Sequence, residues 1–147
     1  MDAIKLMKDD HEKVKKLLKE LEDTTERALK TREKLFLELK EALKPHEAME
    51  EEIFYPTLRQ KLKDDDIVLE GYEEHHAVDV LLEELEAVPF GDETWGPKMK
   101  VIQENIEHHI EEEEGPMFKQ ARQSLDKAAL EELGSRMEER KNAFAMR

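Results

Sequence analysis

His46 and Glu50 stand four residues apart in a row of apolar side chains, Phe36, Leu39, Leu43 and Ile53, whose steps of three and four put them on one helical face. An imidazole and a carboxylate turned into a core need partners. An unpaired buried polar group costs roughly 2–7 kcal/mol and an unpaired charge more, and a metal ion satisfies both kinds of group. The same interruption recurs: His11 lies within Ile4, Met7, Val14, Leu18 and Leu21, and His75 within Val68, Gly71, Val78, Leu82 and Leu85. His109 and Glu113, again four apart, continue Met99, Ile102 and Ile106.

Six ligand-type residues therefore face inward: His11, His46, Glu50, His75, His109 and Glu113. His75 follows His11 by 64 positions (75 − 11), and His109 and Glu113 follow His46 and Glu50 by 63 (109 − 46, 113 − 50). The chain reads as two copies of a helical hairpin. Six ligands are too many for one zinc; imidazole with carboxylate suits iron or manganese, and two ions sharing two carboxylates use all six. Glu50 and Glu113 are the natural bridges, with His11 and His46 serving one ion and His75 and His109 the other. A lone histidine on an apolar face is usually a satisfied core residue, but this ordered recurrence favours the metal over a metal-free polar network.

The elements that must carry these residues follow from the same periodicity. Helix one is expected from Ala3 into the twenties with Asp2 as cap, and helix two from Thr31 to about Leu62, with Pro45 predicting a kink just before His46. One of Asp64, Asp65 and Asp66 caps helix three, which runs to about Ala87; Thr94 caps helix four, which Gly115-Pro116 kinks or ends. A shorter fifth helix from Ser124 or Asp126 to about Ala143 carries no ligand-type residue and packs over the bundle, with 143–147 prone to fray. The fold class is all-α: an up-down-up-down four-helix bundle in one domain, about residues 3–118, plus a short C-terminal helix at about 124–143.

Composition narrows the function. The 147 residues suffice for one domain with a real core; 42% are charged and 5% aromatic, which favours long helices. A formal net charge of −14 without a basic patch argues against nucleic acid and anionic membranes as partners and is compatible with holding cations. There is no cysteine, so disulfides, thiolate chemistry and iron–sulfur clusters are excluded. The N-terminal residues lack a signal-peptide core and no stretch approaches membrane-spanning length, so a cytoplasmic location is expected.

Asp10-His11 with Val14, Pro45-His46 with Glu50-Glu51 and Phe54-Tyr55-Pro56, Glu74-His75 with Val78, and His109 with Glu113-Glu114 and Met117-Phe118 together resemble the hemerythrin-like, or HHE cation-binding, domain. The resemblance spans about Ile4 to Phe118, and the tail from Leu130 to Met137 is similar to that of mycobacterial members. It implies two iron ions in a non-haem centre, oxo- or hydroxo-bridged when oxidised, that reacts with hydrogen peroxide, dioxygen or nitric oxide. Oxygen carriers of this kind place another histidine four residues before the one matching His75, where this chain has Gly71; their last motif spaces histidine and carboxylate by five, which makes Glu114 a rival to Glu113. An open or water-filled position is therefore expected beside one iron, with Tyr72 or Asp79 as its possible occupants.

That opening favours catalase-like decomposition of hydrogen peroxide over reversible oxygen carriage; the alternative is oxygen or nitric oxide binding or sensing, or iron handling, without turnover. Tyr55 and Tyr72 each offer a hydroxyl to the centre, but packing is preferred for both, Tyr55 at the helix end and Tyr72 beside Gly71. His76 and His108 rotate off the stripe by about 100° and belong on the surface. Glu73 and His76 form a single Glu-x-x-His, too little for a ferritin-like site. The oligomeric state, monomer or dimer, is left open.

Overall fold

The computed structural model describes residues 1–145, which fold as rods. Asp2 begins the first by accepting the Lys5 amide at 2.8 Å, and α1 runs Ala3–Glu22. The second rod is α2 (Leu29–Met49), a π turn (Glu50–Phe54) and α3 (Tyr55–Lys61); the third is α4 (Asp66–Glu86). The fourth repeats the second: α5 (Trp95–Glu112), a π turn (Glu113–Met117) and α6 (Phe118–Ser124). α7 (Lys127–Ala145) closes the chain, its first turn held by the Asp126 carboxylate on the Ala129 amide at 2.8 Å. The expected four-helix bundle with an additional C-terminal helix is the architecture observed, and no strand occurs among the described residues. α7 extends through Ala145; the fraying expected for Met146 and Arg147 lies outside the described residues.

Several local expectations are corrected. α2 continues past Pro45 as α-helix to Met49, and a π turn that was not expected begins at Glu50. Gly115 and Pro116 lie inside the second π turn, so the rod continues to Ser124 rather than ending there. Thr94 holds the N-cap position of α5 without a capping bond; its amide and hydroxyl both turn to Asp92 Oδ1, at 2.8 and 2.6 Å. Asp65 likewise precedes α4 without capping it, and Asp64 takes the Asp66 amide at 3.0 Å.

Each π turn shifts the inward register. Tyr55 N–H reaches back five residues to Glu50 O, as Phe118 N–H does to Glu113 O. At about 100° per residue an α-helix would put Tyr55 roughly 140° away from Glu50; the wider turn brings both inward. The buried face after Glu50 thus becomes Phe54, Tyr55 and Leu58, and Ile53, expected on the stripe, is only half-buried.

The core is split in two. One apolar cluster gathers residues such as Met7, Phe54, Tyr55, Leu58 and Phe118 under Leu133 and Met137 of α7, and the other gathers Leu18, Phe36, Leu39, Leu82, Trp95 and Ile102. At about 1.5–3 kcal/mol for each fully buried large side chain, these clusters outweigh the cost of the polar layer between them. α7 lies against α1 and α2, and Gly134 admits the backbone at the start of α1: a Cβ there would stand 2.8 Å from Ala3 N.

Candidate metal centre

His11 on α1, His46 on α2, His75 on α4 and His109 on α5 meet Glu50 and Glu113, the first residues of the two π turns. All six are buried, both glutamates completely. They make two groups of ligand atoms close enough to hold a metal ion: His11, His46, Glu50 and Glu113 in one, and Glu50, His75, His109 and Glu113 in the other. Both glutamates belong to both groups, which is the arrangement expected of bridging carboxylates.

Every imidazole turns Nε2 toward these glutamates and Nδ1 toward an outer carboxylate. His46 donates to Asp10 Oδ2 at 2.9 Å, His75 to Glu51 Oε2 at 3.1 Å, His109 to Glu74 Oε1 at 2.6 Å and His11 to Glu114 Oε2 at 2.6 Å. The pattern closes a ring, because each rod supplies a carboxylate to the histidine of the next: α1 to α2, the first π turn to α4, α4 to α5, and the second π turn back to α1. Such a bond fixes the tautomer and leaves Nε2 free as a ligand. Sequence reasoning missed this role. The signal was a doubling, since each outer carboxylate adjoins a central residue: Asp10-His11, Glu50-Glu51, Glu74-His75 and Glu113-Glu114. Glu114 is thereby placed outside the centre, and Glu113 inside it.

The groups differ at Tyr55. Its hydroxyl donates to Glu113 Oε2 at 2.7 Å and lies 3.3 Å from His109 Nε2 and 3.4 Å from both His75 Nε2 and Glu50 Oε1. The ring fits because Gly71 carries no side chain; a Cβ there would stand 3.0 Å from Tyr55 Cζ and Oη. Packing was the expected role of Tyr55, and it does pack in the apolar cluster, but its hydroxyl also reaches the centre and its ring fills the space that Gly71 vacates. Tyr72 instead donates to the Glu51 backbone carbonyl at 3.0 Å, and Asp79 stands near Lys44 at 3.9 Å, outside both groups.

The other group has no such donor. His11 Nε2 and Glu113 Oε1 lie 3.0 Å apart, and His46 Nε2 and Glu50 Oε2 3.1 Å apart, yet none of the four atoms makes a hydrogen bond. An orphaned buried polar atom costs about 1–3 kcal/mol, so four converging on one point ask for a cation, and two imidazoles with two carboxylates are a donor set that iron or manganese accepts.

Protonation tells the same story. Burial lowers the pKa of His46, but the carboxylates of Glu50 and Asp10 outweigh it and hold His46 up to about 10. For His75 burial is likewise overcome, by Glu50 and Glu51, giving about 9, and His109 is raised well above its usual value chiefly by Glu113. Glu50, despite its burial, is held well below the carboxylate range by His46 and its other partners. Protons on imidazoles balance the carboxylates where a cation would. Glu47, beside the centre, goes the other way: burial, reinforced by Asp79, pushes it up to about 8 although His75 opposes this.

A cavity of about 30 Å³ opens on the side of the imidazoles away from Tyr55's cluster, lined by the four histidines, Glu47, Glu74 and apolar side chains including Val14, Leu43, Val78, Ile106 and Ile110. At about 10–15 Å³ for each water it has room for a molecule of one or two heavy atoms. His76 and His108 are on the surface, as expected. Lys141 of α7 was not anticipated; it pairs with Asp10 Oδ1 at 2.5 Å and so supports the carboxylate that orients His46.

A helical bundle with paired histidine and glutamate groups in its core has the geometry to hold metal ions. The family model of the hemerythrin HHE cation-binding domain matches residues 2–121, and the chain belongs to that family. Among solved structures, the hemerythrin HHE cation-binding domain-containing protein from Mycobacterium kansasii, an Rv2633c homolog, superposes with a TM-score of 0.86. The two are 26% identical, and the match covers 98% of this chain and 87% of the other. No curated protein sequence matches the chain. Among the described residues no helix is long and apolar enough to cross a membrane.

Proposed function

We propose that this chain holds two iron ions and decomposes hydrogen peroxide, with His11 and His46 ligating one ion, His75 and His109 the other, and Glu50 and Glu113 both. The observation that carries the reading is the pairing of a small, mostly apolar cavity against all four imidazoles with a phenol hydrogen-bonded to Glu113. A pair of iron ions supplies the electrons and the vacancies for electrons that let one peroxide be oxidised to dioxygen while a second is reduced to two waters.

The chain's own residues do the rest. The outer carboxylates fix each Nε2 toward the centre, so nothing has to reorganise when a substrate arrives. Val14, Leu43, Val78, Ile106 and Ile110 limit the cavity to a molecule of peroxide or dioxygen size and exclude bulk water. Tyr55 holds a proton on its hydroxyl, because burial and the carboxylates of Glu113 and Glu50 raise its pKa well above the usual value. That hydroxyl is a neutral donor aimed at Glu113 Oε2, able to follow charge as it changes there. Two protons leave the oxidised peroxide and two join the reduced one, so the cycle consumes none.

Cation-free protein loaded anaerobically with ferrous iron is expected to bind two per chain and then to evolve one dioxygen per two peroxides. Two irons with reversible oxygenation and no turnover would favour the second reading, dioxygen or nitric oxide binding, which the size of the cavity also suits. Absence of bound iron would remove both.

A further inference from the structure

Glu47 is buried on α2, one residue from His46, and neither of its carboxylate oxygens has a hydrogen-bond partner. It belongs to neither of the two central groups of ligand atoms. It faces the other edge of His75, with Oε2 3.9 Å from Nδ1, where Glu51 Oε2 also stands at 3.1 Å. Ligand atoms of Glu47, Glu51 and His75 lie within 4.8 Å of one another, close enough to hold a cation. Asp79, whose buried Oδ1 likewise has no hydrogen-bond partner, lies beside Glu47, and Lys44 stands 3.9 Å from that oxygen.

The three residues grade from surface to centre. Glu51's side chain is 37% exposed, Glu47's 8%, and His75 reaches inward through Nε2 to Glu50 Oε1 at 3.0 Å. One imidazole thus fronts two sites, and it cannot serve both with full strength. When Nε2 ligates an inner ion, Nδ1 carries its proton and donates to Glu51; when Nδ1 holds an outer ion, Nε2 is the protonated edge.

Resting on the two-ion reading above, we propose that Glu47, Glu51 and Nδ1 of His75 form an outer cation station, which a divalent transition-metal ion occupies briefly on its way to the buried pair. The orphaned Glu47 carboxylate is explained by this transit, and the station empties once the pair is filled.

The test is anaerobic stopped-flow mixing of Co²⁺ with the cation-free protein, followed by visible absorbance, with metal analysis of the end point. Uptake by the unaltered chain should saturate with Co²⁺ concentration, as binding before transfer requires, and finish at two ions per chain. Glu47→Gln keeps the volume but removes the ligand charge; it should slow uptake about tenfold or more and leave the end point at two. Glu51→Gln, at a half-exposed position, should slow it independently. Glu83→Gln, the same charge change at an exposed position of α4, should not. Equal rates in Glu47→Gln and the unaltered chain, equal slowing in Glu83→Gln, or an end point below two in Glu47→Gln would each overturn the station while leaving the two-ion centre standing. No Co²⁺ uptake by the unaltered chain would remove both.

Discussion

Tyr55 and Phe118 occupy the same place in the two halves of the chain, 63 residues apart (118 − 55), each the first residue after a π turn. Tyr55 stacks on His75 with ring centroids 5.5 Å apart, and Phe118 on His11 at 6.2 Å. One oxygen separates them. That oxygen makes one half of an otherwise repeated site hydrogen-bonded and leaves the other half with four unpaired ligand atoms.

Tyr55→Phe should make the halves alike. Glu113 Oε2 loses its 2.7 Å donor, which at about 1–3 kcal/mol for a buried acceptor left unpaired lowers the stability of the cation-free protein. Metal restores much of that loss, so denaturant melts with and without iron should differ more in the variant than in the unaltered chain. Parallel melts would count against a central role for the hydroxyl.

Gly71→Ala tests the same contact from the other side. The added Cβ sits 3.0 Å from Tyr55 Cζ and Oη, so the ring must give by a few tenths of an ångström and its hydrogen bond to Glu113 lengthen. The variant should show the effect of Tyr55→Phe on iron-free melts in weaker form. If alanine leaves the melts unchanged, Gly71 is not what admits the ring.

The raised histidines set the pH dependence of the cation-free protein. A group with a raised folded pKa contributes fully below its unfolded value, about 6.5 for histidine, and its contribution is lost as pH rises through the folded value. With His46 at about 10 and His75 at about 9, stability should decline from near neutrality through that range. Glu47, raised to about 8, acts in the same direction at lower pH, because its ionised form is the disfavoured one in the fold. Metal binding must expel the imidazole protons that occupy Nε2. Titration calorimetry at pH 7.5 in buffers of different ionisation enthalpy should therefore show more than one proton released per chain, and affinity should fall steadily as pH is lowered. Proton-neutral binding would contradict the charge state derived for the centre.

Lys141→Met removes the cation that holds Asp10 and, through it, His46. Losing an outer carboxylate commonly weakens metal binding about 10-fold or more, so Asp10→Asn should do so, and Lys141→Met, acting one step further out, should weaken it less. His76→Ala, altering an exposed histidine on α4, should change neither affinity nor stoichiometry. Metal competition with a chromophoric chelator gives the comparison. Equal affinities in Lys141→Met and the unaltered chain would confine α7 to packing.

Gly134→Ala should destabilise the fold without touching the centre. Its Cβ would press on the backbone of Asp2 and Ala3, which cannot rotate away as a side chain can. A lowered Tm with unchanged metal stoichiometry is expected.

Much of this was legible in the residues. The stripes through His11, His75 and His109 are buried as their periods required, because a helix repeats its inward face every three or four residues whatever it packs against. Gly71 was singled out as the departure that mattered, but its consequence was misjudged. Counted at the α-helical period, Tyr55 points away from Glu50, and Ile53 takes the inward place.

The order of the six central residues and their division between two helical hairpins were determined by the sequence alone, since hydrophobic periodicity and the cost of burying a histidine or glutamate are local facts. The π turns at Glu50 and Glu113, the ring of outer carboxylates and the reach of Lys141 to Asp10 were decided only by the tertiary structure. The physical reason is that each is a bargain between rods: a turn with a poorer local geometry persists because it aims Tyr55 at Glu113, and an outer carboxylate is fixed because the histidine of another helix stands opposite it.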